Sequence, residues 1–373
     1  MTPPDRDQEN RITYEQAGVS YSVMDPGKIE AQGRALRTAK NLERFGFKLV
    51  AESIGEPATV IDMGDFHLAF TMEGLGTKNL IIDDPDSGFD DEQFYYNIGK
   101  SSVAVGANDN ICVGAQTFLV GPHWGTGETW FTSKKHQALI DGWGDACDEV
   151  GAFYGGGETS MLKGLMYPHA SDLSGAFIGI IRPKEQLTLG QKLEAGDHIV
   201  LVESSGIHDN GLTLARKVGS ILPDKYHTRL PGGLTYGEAL LKPTLLYAGL
   251  QRDLFEAGVG VHYMANVTGH GWRKLMRARQ PFTYRMHTIP EVPEEIQLIQ
   301  ETANLSDTDI FETFNNGAGF AFYVSQAQAA LVQEMAKKRN FMAWDAGVVE
   351  EGPKQVIIEP KSITFSEDTL QIR

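Results

Sequence analysis

The segment Ser204-Ser205-Gly206-Ile207-His208-Asp209-Asn210-Gly211 has the residue types of an anion-binding loop. It follows the apolar run Ile199 to Val202. It precedes Leu212-Thr213-Leu214-Ala215-Arg216-Lys217, whose apolar positions have helical spacing. A strand therefore feeds a glycine-containing loop, and the loop opens a helix. Unpaired backbone N–H groups at a helix start favour anions. His208 and Asn210 add two side chains able to bind a phosphate or polarise a carbonyl.

Three acidic loops in the first half carry Glu73, Asp109 and Glu158, each after an apolar stretch. Hard cations such as Mg²⁺ take oxygen ligands, and carboxylates from separate loops can bridge a cation to nucleotide phosphates. Thr77 and Lys78, close to Glu73, suit a phosphate oxygen. A single carboxylate of this kind is often only a solvated turn residue; three in similar strand-end contexts point to metal–nucleotide binding. The glycine loops do not match Gly-x-x-x-x-Gly-Lys-Ser/Thr, which excludes a P-loop. In Thr268-Gly269-His270-Gly271 the glycines let the backbone approach a ligand. His123, His136 and His169 have no local partner pattern and read as structural. Asn315-Asn316-Gly317 reads equally well as a turn. No Gly-x-Ser-x-Gly elbow occurs, and neither Cys112 nor Cys147 lies beside a basic residue, so nucleophile chemistry has little support.

These loops need elements to hold them. Gly27 to Phe45 has helical apolar spacing and stops at Gly46. His67 to Met72 reads as a strand running into Glu73. Tyr95 to Val105 reads as a helix broken near Gly106, leading to Asn108-Asp109. Lys134 to Val150 reads as a helix capped by Ser133, and Ser174 to Ile181 as a strand. The polar segment Pro183 to Gly196 marks a domain boundary. Beyond it, Thr244 is a candidate cap for a helix ending near Gly258, and His262 to Val267 is a strand. Trp272 to Arg277 starts a helix, and Phe320 to Val324 is a strand. Gln326 to Lys338 is a helix capped by Ser325. Trp344 to Val349 and Val356 to Glu359 read as closing strands. Alternating strands and helices imply an α/β or α+β fold. The division expected is a disordered leader at 1–12, an N-terminal domain at 13–182 and a C-terminal domain at 196–373.

The chain has 373 residues, enough for two domains, and 41% of them are hydrophobic. A formal net charge of −16 argues against nucleic acid or an anionic membrane as partner. Two cysteines exclude a disulfide framework. No apolar run approaches the roughly 20 residues of a membrane span. The polar, acidic start is unlike a signal peptide, so a cytoplasmic location is expected.

In order along the chain, these segments resemble the phosphoribosylformylglycinamidine cyclo-ligase family of purine biosynthesis, in the PurM-like superfamily. Thr13 to Val19 resembles its Tyr-x-x-Ala-Gly-Val, and Glu73 to Lys78 its Asp-Gly-Val-Gly-Thr-Lys. Asn108-Asp109 and Gly156-Gly157-Glu158-Thr159 match its Asn-Asp and Gly-Gly-Glu-Thr. The Ser204 to Gly211 loop resembles Ser-Ser-Gly-x-His-Ser-Asn-Gly. Leu241 to Tyr247 resembles Leu-x-Pro-Thr-x-x-Tyr, Val267 to Gly271 resembles Leu-Thr-Gly-Gly-Gly, and Thr313 to Gly319 resembles Thr-Phe-Asn-x-Gly-x-Gly. The chain differs in having Glu73 for Asp and Asp209 for Ser. It also has Glu52-Ser53-Ile54-Gly55-Glu56-Pro57 for a Gly-Gly-Phe-Gly loop, and different residues after Asp109 and after Thr159.

The resemblance implies a two-domain PurM-like fold whose N-terminal domain pairs with that of a second subunit in a β-barrel-like homodimer core. It implies ATP and Mg²⁺, and formylglycinamidine ribonucleotide as the small-molecule substrate. The amide oxygen is phosphorylated, an internal nitrogen attacks, and aminoimidazole ribonucleotide forms. It assigns Glu73, Asp109 and Glu158 to the metal, and Thr77, Lys78, Asn108, Gly156 and Gly157 to ATP. His208 and Asn210 become catalytic, and Ser205, Gly206, Thr268 and Gly269 contact substrate. The alternatives are a superfamily enzyme acting on another amide or carboxylate, and a nucleotide-binding protein without catalysis.

Overall fold

Residues 11–12, 18, 21–84, 87–89, 91–132 and 135–370 are described by the structure, a computed structural model. Most of the Thr13 to Val19 motif and the proposed cap Ser133 lie outside the described residues, as does the expected leader apart from Arg11 and Ile12. Those two residues are tied down. The Ile12 N–H donates to the Ala303 carbonyl, and Arg11 pairs with Asp309.

Two seven-stranded sheets organise the chain. The first holds β1 (Lys48–Leu49), β2 (Thr59–Asp62), β3 (His67–Gly74), β4 (Gln116–Thr126), β5 (Phe153–Tyr154), β6 (Glu158–Met161) and β7 (Ser171–Ile181). Its order is β1-β2-β3-β7-β4-β5, with β6 also pairing β4. The second holds β8 (Asp197–Glu203), β9 (Val261–Asn266), β10 (Phe282–Met286), β11 (Ala318–Ser325), β12 (Ala343–Glu351), β13 (Gln355–Ile358) and β14 (Ile363–Ser366). Its order is β14-β13-β10-β12-β8-β11-β9, antiparallel except for β10 with β13. The expected closing strand at Trp344 to Val349 is thus interior to its sheet. The strand Phe282–Met286, absent from the sequence reading, separates it from β13.

The helices that position the site are α1 (Tyr21–Leu36), α2 (Leu80–Asp83), α3 (Glu92–Cys112) and α4 (Lys135–Val150) in the first half. In the second half they are α5 (Leu212–Ile221), α6 (Tyr236–Leu240), α7 (Ala248–Glu256), α8 (Glu294–Thr302), α9 (Asp307–Thr313) and α10 (Gln326–Lys338). The expected break near Gly106 does not occur. Helix α3 runs on to Cys112, so Asn108 and Asp109 sit in its last turns rather than on a loop. Gly106 serves a close approach instead, since a Cβ there would lie 2.0 Å from the Phe177 ring on β7. The helical stretch from Gly27 to Phe45 is α1 followed by a 3₁₀ segment, Ala39–Phe45, and it stops at left-handed Gly46 as expected. Trp272 to Arg277 is also 3₁₀. Thr244 caps no helix, because α7 starts at Ala248. Ser325 takes the cap position of α10 without a capping bond.

Strand β7 alternates buried and less buried residues along its length. Its Phe177 side faces α3, the arrangement expected of a half-covered sheet. Among the described residues the middle of the opposite face is bare. There Phe70 and Met72 of β3 are 41% and 61% exposed, and Phe118 and Phe153 are exposed too. Among the described residues no helix is long and apolar enough to cross a membrane.

Candidate active site

The Ser204–Gly211 loop leaves the buried strand β8 and enters α5 through Gly211, whose φ of 81° is left-handed. A Cβ at Gly211 would lie 2.1 Å from the Phe314 ring, so glycine is required twice over. Every part of the loop is braced. The Ser204 hydroxyl donates to Asn315 Oδ1 (3.1 Å), and Asn315 Nδ2 donates to the Gly206 carbonyl (2.9 Å). The Ser205 hydroxyl donates to the Pro243 carbonyl (2.6 Å). The Ile207 N–H donates to the buried Glu295 carboxylate (2.9 Å). Asn315 is therefore a splint as well as part of a turn. Neither role of Asn315 nor that of Glu295 was visible in local spacing, because both partners lie about a hundred residues away.

The loop holds His208 in one protonation state. Its ring is buried, and burial together with the nearby Lys78 ammonium pushes its pKa down to about 3. Nε2 accepts the Ser205 N–H at 3.1 Å, so the neutral ring carries its proton on Nδ1. His208 is thus a neutral donor across the ordinary pH range.

A cavity of about 410 Å³ lies at this loop. Of the residues singled out in the sequence, Glu73, Asn108, Asp109, His208, Asn210, Thr268 and Gly269 line it. Glu73 comes from the end of β3, Asp109 from α3, and Thr268 and Gly269 from the turn after β9. Residues more than a hundred positions apart thus converge. Burial first, then the facing Asp109, raises the Glu73 carboxyl to about 7. Burial likewise raises Asp109, against a hydrogen bond from Asn266 Nδ2 (2.9 Å). Lys274 and Arg277, unmarked in the sequence reading, also line the cavity. Burial and the neighbouring Arg277 lower the Lys274 ammonium to about 7, while the two carboxylates oppose that shift. Their signal was the spacing after Thr268-Gly269-His270-Gly271, which places both on one side of a 3₁₀ turn. His270 itself lines the cavity with φ at 72°, a conformation that ordinarily favours glycine.

Other predicted residues stand outside this cavity. Lys78 is fully buried and donates to Asp209, Ser101 and the Lys242 carbonyl. Thr77 Oγ1 lies 3.4 Å from Thr213 Oγ1. Gly156 and Gly157 precede β6, and Gly157 packs so closely on Pro122 that a Cβ would meet its carbonyl at 2.0 Å. Glu158 is exposed on β6 and accepts the Ser160 hydroxyl at 2.9 Å. Ser205 and Gly206 brace the loop from behind. The Glu52 to Pro57 segment is pinned across to the second half, where Arg277 Nε donates to the Gly55 carbonyl (3.0 Å) and Arg279 to that of Ile54 (2.6 Å). Cys112 and Cys147 are buried free thiols. Burial raises both, Cys147 to about 12, so neither is a ready nucleophile.

The donor set suits the groups inferred from sequence. Two converging carboxylates supply hard oxygen ligands for a divalent cation. A neutral histidine and an asparagine face the same space, as a polarised amide oxygen requires.

Comparison with known proteins agrees in extent and in order. Residues 55–181 match the family described as AIR synthase related protein, N-terminal domain, and residues 194–359 its C-terminal domain. A phosphoribosylformylglycinamidine cyclo-ligase of Methanococcus vannielii is 30% identical over 341 residues, covering 91% of this chain and 93% of its own. One from Pyrococcus furiosus is 31% identical, covering 95% and 99%. Among solved structures, AaThiL complexed with AMPPCP and TMP superposes with a TM-score of 0.58. It is 14% identical and covers 89% of this chain and 94% of its own, a likeness of fold.

Proposed function

The chain belongs to the phosphoribosylformylglycinamidine cyclo-ligase family, and on that footing we propose that it closes the imidazole ring of a purine precursor. Formylglycinamidine ribonucleotide and ATP give aminoimidazole ribonucleotide, ADP and phosphate. The observation that carries the reading is the convergence of Glu73, Asp109, His208, Asn210 and Thr268 on one cavity.

The phosphoryl group passes from ATP to the formamide oxygen. The substrate's own nitrogen then attacks that carbon, and phosphate leaves with the oxygen. Phosphoryl transfer asks for positioning and charge neutralisation more than for a protein nucleophile, in line with the inert cysteines. The Nδ1–H of neutral His208 and the amide of Asn210 hold the oxygen as its charge changes. The Thr268-Gly269 backbone carries the ribonucleotide, and the cavity holds nitrogen and carbon near each other. Glu73 and Asp109 would hold Mg²⁺, which would offset phosphate charge. The bare face of the first sheet, with Phe70 and Met72, supports a homodimer packed sheet on sheet. Glu158 lies in that same first sheet, exposed on β6 and outside the cavity lining.

Purified chain supplied with formylglycinamidine ribonucleotide, ATP and Mg²⁺ should release one phosphate per aminoimidazole ribonucleotide formed. His208→Ala should lower kcat by about 10²–10³-fold, the ordinary cost of losing such a donor. No turnover under conditions where the Pyrococcus furiosus relative is active would refute the reading.

A further inference from the structure

Lys78 ends the loop that begins at Glu73, and Asp209 stands between His208 and Asn210. The two side chains meet in the interior, with Lys78 wholly buried and the Asp209 side chain 3% exposed. Lys78 Nζ donates to Asp209 Oδ1 at 3.0 Å, to Ser101 Oγ at 3.2 Å and to the Lys242 carbonyl at 2.7 Å. An ammonium has three protons, and these three acceptors take them all. The second Asp209 oxygen accepts the Thr244 hydroxyl at 2.5 Å, and the Thr244 N–H donates to Ser101 Oγ at 3.1 Å. Lys78, Asp209, Thr244 and Ser101 therefore form a closed ring of hydrogen bonds. It joins the acidic loop, the His208 loop, helix α3 and the Leu241–Tyr247 segment.

We propose that Lys78 and Asp209 are positioning residues, a buried ionic clamp that fixes the His208–Asn210 loop on the Glu73 loop, and that Lys78 does not contact ATP. The proposal rests on the reading that His208 and Asn210 serve the ring-closing reaction. Both faces of the reaction centre hang on this clamp. The carboxylate end comes from one half of the chain and the amide-binding end from the other. A buried ion pair is a strong constraint on relative position, because separating the partners leaves charge unpaired in the interior. The serine that the family resemblance places at position 209 offers no countercharge. At the joint between its two loops this chain has a carboxylate where the resemblance places a neutral hydroxyl.

The test uses the full chain with Lys78→Met, Asp209→Asn and the double variant Lys78→Met/Asp209→Asn. Each single variant should lower kcat by about 30- to 100-fold, the effect of about 1 Å of misplacement, while KM for ATP stays within about twofold. The double variant should recover at least about tenfold over the worse single, since residues in one network are non-additive. A rise of about tenfold in the ATP KM of Lys78→Met, with additive losses in the double, would make Lys78 a nucleotide ligand and overturn the clamp. Asp209→Asn keeps the Thr244 contact and the side-chain volume, and stands in should Lys78→Met fail to fold. Hydrogen exchange at the Ser205–Gly211 amides, read without substrate, separates this proposal from the enzymatic one. Faster exchange in Asp209→Asn, reversed in the double variant, supports the clamp even in a chain that does not turn over the ribonucleotide. Unchanged exchange overturns it.

Discussion

Replacing Asn108 with leucine should weaken the fold and leave nucleotide affinity nearly unchanged. Asn108 is 1% exposed in the last turns of α3. Its Nδ2 donates to the Leu245 carbonyl at 2.8 Å, and its Oδ1 accepts the Tyr247 N–H at 3.1 Å. Both partners belong to the segment after α6, so the side chain fastens the two halves of the chain together. Leucine has nearly the same volume and no polar atom. It strands one fully buried N–H and one partly buried carbonyl. A stranded buried group costs about 1–3 kcal/mol. The carbonyl, nearer solvent, falls at the low end, so the pair should cost about 2–4 kcal/mol. Urea unfolding followed by tryptophan fluorescence reads this as a midpoint shift at unchanged slope. The KM for ATP should stay within about twofold. Asn108 also borders the cavity, and the resemblance assigns it to ATP, so the opposite result is informative. A stability change under about 0.5 kcal/mol with a tenfold rise in KM would refute the bracing role.

Two further outcomes follow from the same geometry. Met72→Asp puts a charge at the centre of the bare sheet face, and in a symmetric dimer it does so twice. Dimer dissociation should strengthen about a hundredfold or more by sedimentation, with secondary structure intact; a wild-type chain that is monomeric at micromolar concentration refutes the sheet-on-sheet reading. Stability should also depend on His208 in acid. Its folded pKa, about 3, lies below the unfolded value near 6.5, so between these values the unfolded chain binds the extra proton. Stability is then lost as pH falls from about 6.5 toward 3, by about 1.4 kcal/mol per unit. Glu73 and Asp109, whose pKa values are raised, work in the opposite direction, so the measurement is the difference between wild type and His208→Asn across pH 4–7. A difference that does not change with pH refutes a buried neutral His208.

The loops that do chemistry were legible because their residue types are unusual together. Ser-Ser-Gly before His-x-Asn-Gly, with an apolar strand on one side and a helical pattern on the other, constrains backbone and side chain at once. Elements with long, periodic patterns were legible for the same reason. Gly106 misled because a glycine within a helix looks the same whether it stops the helix or admits a neighbour. Only the Phe177 ring, seventy-one residues later, distinguishes the two. Lys78 shows a related limit. A lysine beside a glycine loop suggests a phosphate ligand, and spacing does not express its hydrogen-bond partners, Asp209 and Lys242, which come from the other half of the chain. Glu295 carries no local signature at all, and Lys274 and Arg277 carry only their spacing after the Thr268–Gly271 turn. Their importance comes from burial next to opposite charge, which spacing alone does not express.

Charge in the cavity explains why the carboxylates and the nucleotide should depend on each other. Four carboxylates border it, Glu56, Glu73, Asp109 and Asp209, against three cations, Lys28, Lys274 and Arg277. Asp209 is already neutralised by Lys78. Glu56 accepts the Tyr263 hydroxyl at 2.9 Å and lies 3.9 Å from Arg277. What remains facing the space is Glu73 and Asp109 with Lys28 and Lys274, and burial draws Glu73, Asp109 and Lys274 toward their uncharged forms. With two carboxylates against two ammonium groups, such a site offers a polyphosphate no net attraction when all four are ionised. On the proposed reading a divalent cation would supply that attraction, because it would hold both carboxylates ionised and present positive charge to the phosphates. Binding of the cation would then release protons, and by linkage ATP and cation would each raise the other's affinity by the same factor. In a chain of net charge −16, the proposed function requires this local inversion of sign, rather than any general basic surface, to draw an anionic nucleotide to the loop that holds His208.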